Sequence, residues 1–500
     1  MSTKQFRFSP QRGWRSAGGV PAGDARQGTP APRSQDVPAP RGGALSRRTM
    51  LSGLVAAGAA GTMTVGRTAA AATSTSVVPA PSAATPTPGT PLQLFTDPSL
   101  NYEALFMLGA AGYGASEVGE VVTAVNAINA AGATLQSYTD ALLALADALA
   151  TRSTQELRDH PRTAGDCALR AAQYYARALF FILGTSTPDR EQAVYQAGRD
   201  AWDRFTSTLR PAALRLRISY GQGSLPAWLF RPDDSGKRRP TLIMTNGSDG
   251  QEVDLWVTGA AAGLARGWNV LTFDGPGQGE ALFVNKIPFT DRWEQVITPI
   301  VDLLHRRGDV DTRRIALSGL SMGGDLTVRA AAFEHRLAAL VTLPGVVSPW
   351  LGFPPDFRMI ITPDKDQTNQ TWNSDVVPNL PPAEAFQLKK RYEPFGAEVV
   401  DAVRQGKLPT DIWTPSRLIE GLDVTAVAGR IRCPTLVLNY DEETFYPGQA
   451  QQLHDLLTAP KSYVTLTTAE GAQLHCSPMA PQRQAEVVFD YLDNTLHNSA

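Results

Sequence analysis

From position 97 to 210 apolar residues recur at helical spacing. Leu135, Leu142, Leu143, Ala146 and Leu149 form one stripe, and the run Ala168–Leu183 carries a second that includes Tyr174, Tyr175, Phe180 and Phe181. A third stripe passes through Val194, Ala197, Ala201, Phe205 and Leu209. Aromatic residues at this spacing ordinarily form core, and such a layer can also roof a site. From Leu214 the period changes. Leu214–Tyr220 and Leu225–Phe230 read as an antiparallel start. Thr241–Thr245, Asn269–Phe273, Arg314–Ser318, Ala338–Leu343, Thr435–Leu438 and Tyr463–Thr467 read as parallel strands, with helical stretches such as Asp254–Arg266 between them. Strands alternating with helices predict an α/β architecture, a mostly parallel sheet with helices on both faces. Residues 349–430, rich in Trp, Phe and Pro, interrupt the alternation and read as a lid insertion. Within it Trp350, Phe353, Trp372 and Trp413 are expected mainly to pack.

The first 96 residues follow neither period. Positions 1–45 are rich in Arg, Pro, Gly and Ala, a composition that does not support a packed core. Ser46-Arg47-Arg48-Thr49-Met50-Leu51 then precedes a weakly apolar run to Val65 and a stretch of alanines, 69–72. This has the form of a twin-arginine export signal and predicts a secreted or extracytoplasmic protein. The apolar run is too short and too poor in Leu, Ile and Phe for a stable membrane anchor. Residues 73–96 read as a linker, 97–210 as a helical domain and 211–500 as the α/β domain.

The chain has 500 residues, 43% of them hydrophobic and 19% charged, which is room for a large core. Its net charge of −2 offers no electrostatic footprint for nucleic acid. The three cysteines, Cys167, Cys433 and Cys476, do not make a disulfide framework. No metal and no organic cofactor is implied, and the oligomeric state is left open.

Chemistry concentrates at the ends of the expected strands. Gly319-Leu320-Ser321-Met322-Gly323 lies between an apolar strand and a helix-like run, the context in which G-x-S-x-G marks a nucleophile at a sharp turn. Asn246-Gly247-Ser248-Asp249-Gly250 follows an earlier strand, so the backbone N–H groups of Ser248 and Met322 are candidates for an oxyanion hole. Asp274-Gly275-Pro276-Gly277-Gln278-Gly279-Glu280 lacks the G-x-G-x-x-G spacing of a dinucleotide loop. It is expected to turn without opening a helix and to shape the site floor. Of six histidines, His160 falls in the helical region, His305, His335 and His454 in helices and His497 in the tail. Only His475 follows the last strand in a loop, which makes it the expected base. The acid is Glu443, favoured by its count from Leu438 and to Pro447, or else Asp441. Serine, acid, histidine is the chain order of α/β-hydrolases.

With these motifs in view, and with Tyr174-Tyr175 and Phe445-Tyr446-Pro447-Gly448-Gln449 added, residues 165–495 resemble the α/β-hydrolase superfamily. Within it the similarity is to the FrsA-like esterases and the 2,6-dihydroxypseudooxynicotine hydrolase group. The resemblance implies a helical cap before an α/β-hydrolase catalytic domain. It also implies cleavage of esters, or of carbon–carbon bonds next to a ketone. An aminoacyl peptidase, or a non-catalytic binding protein on the same fold, are further readings; the latter is disfavoured because Ser321 and His475 are both present. The pocket is expected to be apolar and aromatic, for a small-molecule substrate with an apolar or aromatic acyl part. Leu340–Phe353 contains no Asp or Glu, so an extra acid is not expected unless Asp274 or Glu280 approaches. One prediction follows from the arginine pair. Replacing Arg47 and Arg48 together by Lys should leave the precursor in the cytoplasm in a fractionation assay, and undiminished export would show the segment to be misread.

Overall fold

A computed structural model describes residues 92–497. All of these residues fall within one compact unit. The disordered segment and the export signal expected from the sequence lie outside the described residues, as does most of the linker. The last linker positions correct that reading. Phe95 is buried with its ring 5.9 Å from Tyr138, and the Leu94 and Phe95 N–H groups donate to Asn101 Oδ1 at 2.7 and 3.2 Å. An apolar pair with a local hydrogen-bond acceptor is part of the helical layer, whatever precedes it.

Five helices build that layer: α1 (Pro98–Ala110), α2 (Val118–Ala130), α3 (Leu135–Glu156), α4 (Pro161–Phe181) and α5 (Glu191–Thr208). Their starts are written locally. Asp97 caps α1 by accepting from the N–H groups of Ser99 and Leu100 at 2.8 and 3.0 Å, with Pro98 in the first turn. Thr134 caps α3 through a reciprocal pair with Ser137. Helix α4 is the centre of the layer and is buried along nearly all its length, Tyr174 and Tyr175 included.

Eight strands follow: β1 (Leu214–Tyr220), β2 (Gly223–Phe230), β3 (Arg239–Thr245), β4 (Asn269–Phe273), β5 (Val310–Leu320), β6 (Ala339–Leu343), β7 (Thr435–Tyr440) and β8 (Lys461–Leu466). They form one sheet in the order β1-β2-β4-β3-β5-β6-β7-β8, antiparallel from β1 to β4 and parallel thereafter. Strands β4 and β6 are buried at every position, as expected of a parallel sheet covered on both faces. The chain leaves β3 to one side for β4 and returns on the other side as β5. Such a reversal opens a crevice at the carboxyl ends of the strands.

Two details depart from the sequence reading. A short helix, Gly279–Phe283, does open at the Asp274–Glu280 segment, because Asp274 Oδ2 accepts the Glu280 N–H at 2.9 Å. His335 lies in the turn after the helix Gly323–Ala331, not within it.

Buried charge holds the helical layer on the sheet. Arg199 of α5 reaches Asp274 at 3.0 Å and stacks over the Trp228 ring at 4.2 Å. Arg177 of α4 joins Glu103 of α1 to Asp254 beyond β3. Residues 349–430 form several short helices, among them Pro382–Tyr392 and Ala397–Arg404. They are pinned to the helical layer by Arg404–Glu191 at 2.8 Å and by the Phe181 and Phe386 rings at 5.6 Å. Trp372 is fully buried, Trp350 and Phe353 nearly so, and Trp413 half-buried, so these residues do pack.

Helix α1 approaches the loop after His475 so closely that a Cβ on Gly109 would sit 1.9 Å from the Pro478 carbonyl oxygen. Gly109→Ala should therefore cost about 1–3 kcal/mol of stability. Exposed Gly119, in α2 with open space around it, should instead gain a few tenths to about 1 kcal/mol on change to Ala. Thermal melts of the two variants should shift in opposite directions; equal shifts would contradict the packing.

Candidate active site

Strand β5 delivers Ser321 at its carboxyl end. The residue sits at φ 56°, in the left-handed region that a serine adopts only under constraint. Its N–H donates to Leu343 O at 2.6 Å, tying the turn to the end of β6. The flanking glycines are required by contact. A Cβ on Gly319 would lie 2.0 Å from Gly323 O, and one on Gly323 would lie 2.7 Å from Asn246 O. The turn raises the Ser321 hydroxyl above the sheet and starts the helix Gly323–Ala331 directly behind it.

Strands β7 and β8 deliver the other two groups. His475 Nε2 is 2.9 Å from Ser321 Oγ, and His475 Nδ1 is 2.6 Å from Glu443 Oε2. The carboxylate selects the tautomer in which Nδ1 carries the proton, leaving Nε2 to accept from the hydroxyl. Glu443 is itself fixed, its Oε1 accepting the N–H groups of Phe445 and Tyr446 at 2.8 and 3.0 Å. Asp441, the other candidate acid, turns away to accept the Thr468 N–H at 3.0 Å. The two loops are stitched together where the Glu442 N–H donates to Gln473 O at 2.9 Å.

The electrostatics match this placement. Burial alone would raise the Glu443 carboxyl, but the His475 charge and the hydrogen bonds it accepts more than offset that and hold it below the usual range. Burial pulls His475 down, and the adjacent Glu443 carboxylate offsets this by favouring uptake of a proton, so the direction of the shift is upward. The Cys476 thiol is itself pushed up by burial, so it is neutral near pH 7 and Glu443 is the charge that favours the imidazolium. His475 is also fixed from the helical layer, because the Tyr102 hydroxyl donates to its carbonyl oxygen at 2.6 Å.

Gly247 lies beside the nucleophile, where a Cβ would come 2.8 Å from Ser321 Cβ. Gln278 holds this loop by donating to Asn246 O and Gly247 O at 2.8 and 2.9 Å, so the Asp274–Glu280 segment does support the site. Among the described residues the N–H groups of Ser248 and Met322 have no acceptor, and both residues line the cavity over Ser321. Two free amides, one at a helix start, suit a developing oxyanion. Among the described residues there is no cluster of side chains spaced to hold a metal.

That cavity measures about 320 Å³ and lies between α1, α4, the sheet and the insertion. Its aromatic part, including Phe106, Phe180 and Phe445, was expected. A charged part adds to the expected apolar one: Glu103, Arg177, Asp254, Lys390 and Arg391 also line it. Asp274 and Glu280 are not the acids that approach; they are occupied by Arg199, with Glu280 also paired to Arg217. The one signal in the sequence was a pair of lone charges, Glu103 and Arg177, each set in an otherwise apolar helical stretch.

The Alpha/beta hydrolase family model matches residues 242–488. Hydrolyase poxO of Penicillium oxalicum is 30% identical over 375 residues, 69% of this chain and 83% of that one. Hydrolase LUC6 of Fusarium sp is 32% identical over 271 residues, 51% of this chain, and the chain spans 62% of its length. Among solved structures, 2,6-dihydroxy-pseudo-oxynicotine hydrolase shares the fold with a TM-score of 0.57 at 20% identity, over 78% of this chain and 95% of that one. The chain belongs to the α/β-hydrolase family.

The placement of the two acids yields a ranking. Glu443→Gln should lower kcat by on the order of a thousandfold or more, because it removes the charge that orients and stabilises the histidine. Asp441→Asn should cost much less. Steady-state kinetics on both variants reads the ranking directly, and the reverse order would move the role to Asp441.

Proposed function

We propose that the chain is a serine hydrolase that cleaves a carboxylic ester through an acyl-enzyme on Ser321. The observation that carries this reading is the unbroken series Ser321 Oγ, His475 and Glu443, at 2.9 and 2.6 Å, opening on a substrate-sized cavity. His475 takes the hydroxyl proton as Ser321 attacks the carbonyl, and Glu443 stabilises the imidazolium that forms. The Ser248 and Met322 amides receive the oxyanion. His475 then protonates the departing alkoxide, and a water activated by the same histidine releases the acid and restores Ser321. The aromatic part of the cavity suits a bulky acyl or aryl group.

A second reading is hydrolysis of a carbon–carbon bond next to a ketone. It is favoured by the buried carboxyl of Glu103 in the cavity, because a carbanion leaving group needs an acid beyond His475. Export through the twin-arginine route is part of the proposal and rests on residues 46–72 alone. No helix among the described residues is long and apolar enough to cross a membrane.

A fluorophosphonate probe should label Ser321, and Ser321→Ala should lose both labelling and turnover of aryl or short-to-medium acyl esters. Turnover persisting in that variant would sink the serine mechanism. Inert esters together with cleavage of an aryl β-diketone would replace the ester reading with the carbon–carbon one.

A further inference from the structure

The helical side of the cavity carries a charge arrangement that the Ser321 chemistry does not use. Arg177 Nη2 spans both oxygens of Asp254 at 2.7 Å each, and Arg177 Nη1 donates to Glu103 Oε2 at 2.6 Å. Asp254 also accepts the Gln251 N–H at 2.7 Å. One guanidinium is thus balanced by Asp254, and Glu103 is a second carboxyl on the same cation. A strut between α1, α4 and the sheet needs only one carboxylate per arginine; a second one taken out of water is costly unless it has other work. Glu103 uses only one oxygen within the protein. Among the described residues its Oε1 has no partner, although the side chain is 95% buried (5% exposed), and the residue lines the cavity over Ser321.

We propose that Glu103, held in place by Arg177, is a specificity-determining residue whose free Oε1 binds a hydroxyl or keto oxygen carried by the substrate beyond the carbonyl that Ser321 attacks. The inference deepens the reading of Ser321 as nucleophile and rests on it for the position of the substrate. The groups that face Glu103 are Tyr102 on its own helix, Tyr138 from α3, Arg177 from α4, Asp249 from the loop after β3, and Asp254. Burial raises the carboxyl, Arg177 partly offsets this, and Asp249 and Asp254 add to it, leaving Glu103 at about 7. Below that pH the protonated acid donates to a ketone oxygen. Above it the carboxylate accepts from a hydroxyl and repels a ketone. A hydroxyl can therefore bind in either state, whereas a ketone binds only in the acid form.

The test compares phenyl pentanoate with the phenyl esters of its hydroxy and oxo derivatives, read as ratios of kcat/KM. The wild type should favour the best oxygen-bearing ester by on the order of tenfold to a hundredfold, because a buried polar group left unmatched is penalised. The advantage of the oxo ester should fall as pH rises through the Glu103 transition. Glu103→Gln should keep a preference but lose its pH dependence, and Glu103→Leu should bring the ratio near one. Ratios unchanged in both variants, or a wild-type ratio near one, would overturn the proposal. A merely structural Glu103 would lower every ester alike. The same esters titrated calorimetrically into Ser321→Ala give the binding ratio without turnover. Inert esters with an intact Glu103-dependent binding ratio would therefore remove the ester reading and leave this inference standing.

Discussion

The hydrogen bond from the Ser321 N–H to Leu343 O is the constraint on which the site depends. A serine does not rest in the left-handed region without something to hold it there, and this bond joins the tip of β5 to the end of β6. The Cys476 thiol donates to the same carbonyl at 3.5 Å, so the histidine loop is registered on the atom that fixes the nucleophile. The glycines at 319 and 323 let the turn close between the helix behind it and the end of β3. Three loops from three strand ends thus refer their positions to one short stretch of backbone. The 2.9 Å and 2.6 Å contacts of His475 follow from that common reference.

The second organising feature is charge buried between the helical layer and the sheet. An arginine loses less by burial than a lysine would, because its planar fork can serve two carboxylates at once. Arg177 does this between α1 and Asp254, and Arg199 does it between α5 and the Asp274–Glu280 segment. These pairs fix direction as well as distance, which an apolar contact does not. The outcome bears on the chemistry: α1 is held where Tyr102 touches the His475 carbonyl and Glu103 meets the cavity. The cap is therefore a wall of the site, and the insertion, packed against α4 through Phe181 and Phe386, helps to enclose it.

Much of this architecture is legible in the chain itself. The buried parallel strands read clearly because short apolar runs, bounded by Gly, Pro and Asp, have few other uses. Strand β5 runs longer than its apolar part, since Val310–Arg313 extends it through residues whose pattern is not that of a core strand. The helix at Gly279 was hidden by Gly-Pro-Gly before it; Asp274, which accepts the Glu280 N–H in its first turn, is oriented by Arg199 from a helix some 75 residues earlier in the chain.

What the sequence determined by itself is the set of periodic elements, the alternation that makes an α/β sheet, the strained G-x-S-x-G turn and the candidacy of His475. Each of these is a local property, carried by spacing within a few residues. Tertiary structure decided which acid meets His475, because Glu443 and Asp441 have the same charge two residues apart. The choice is made by the Phe445 and Tyr446 amides on one side and the Thr468 amide on the other. It also decided the polarity of the cavity. Glu103 and Arg177 stand 74 residues apart in separate helices, and only the packing of α1 against α4 turns two lone charges into one binding surface.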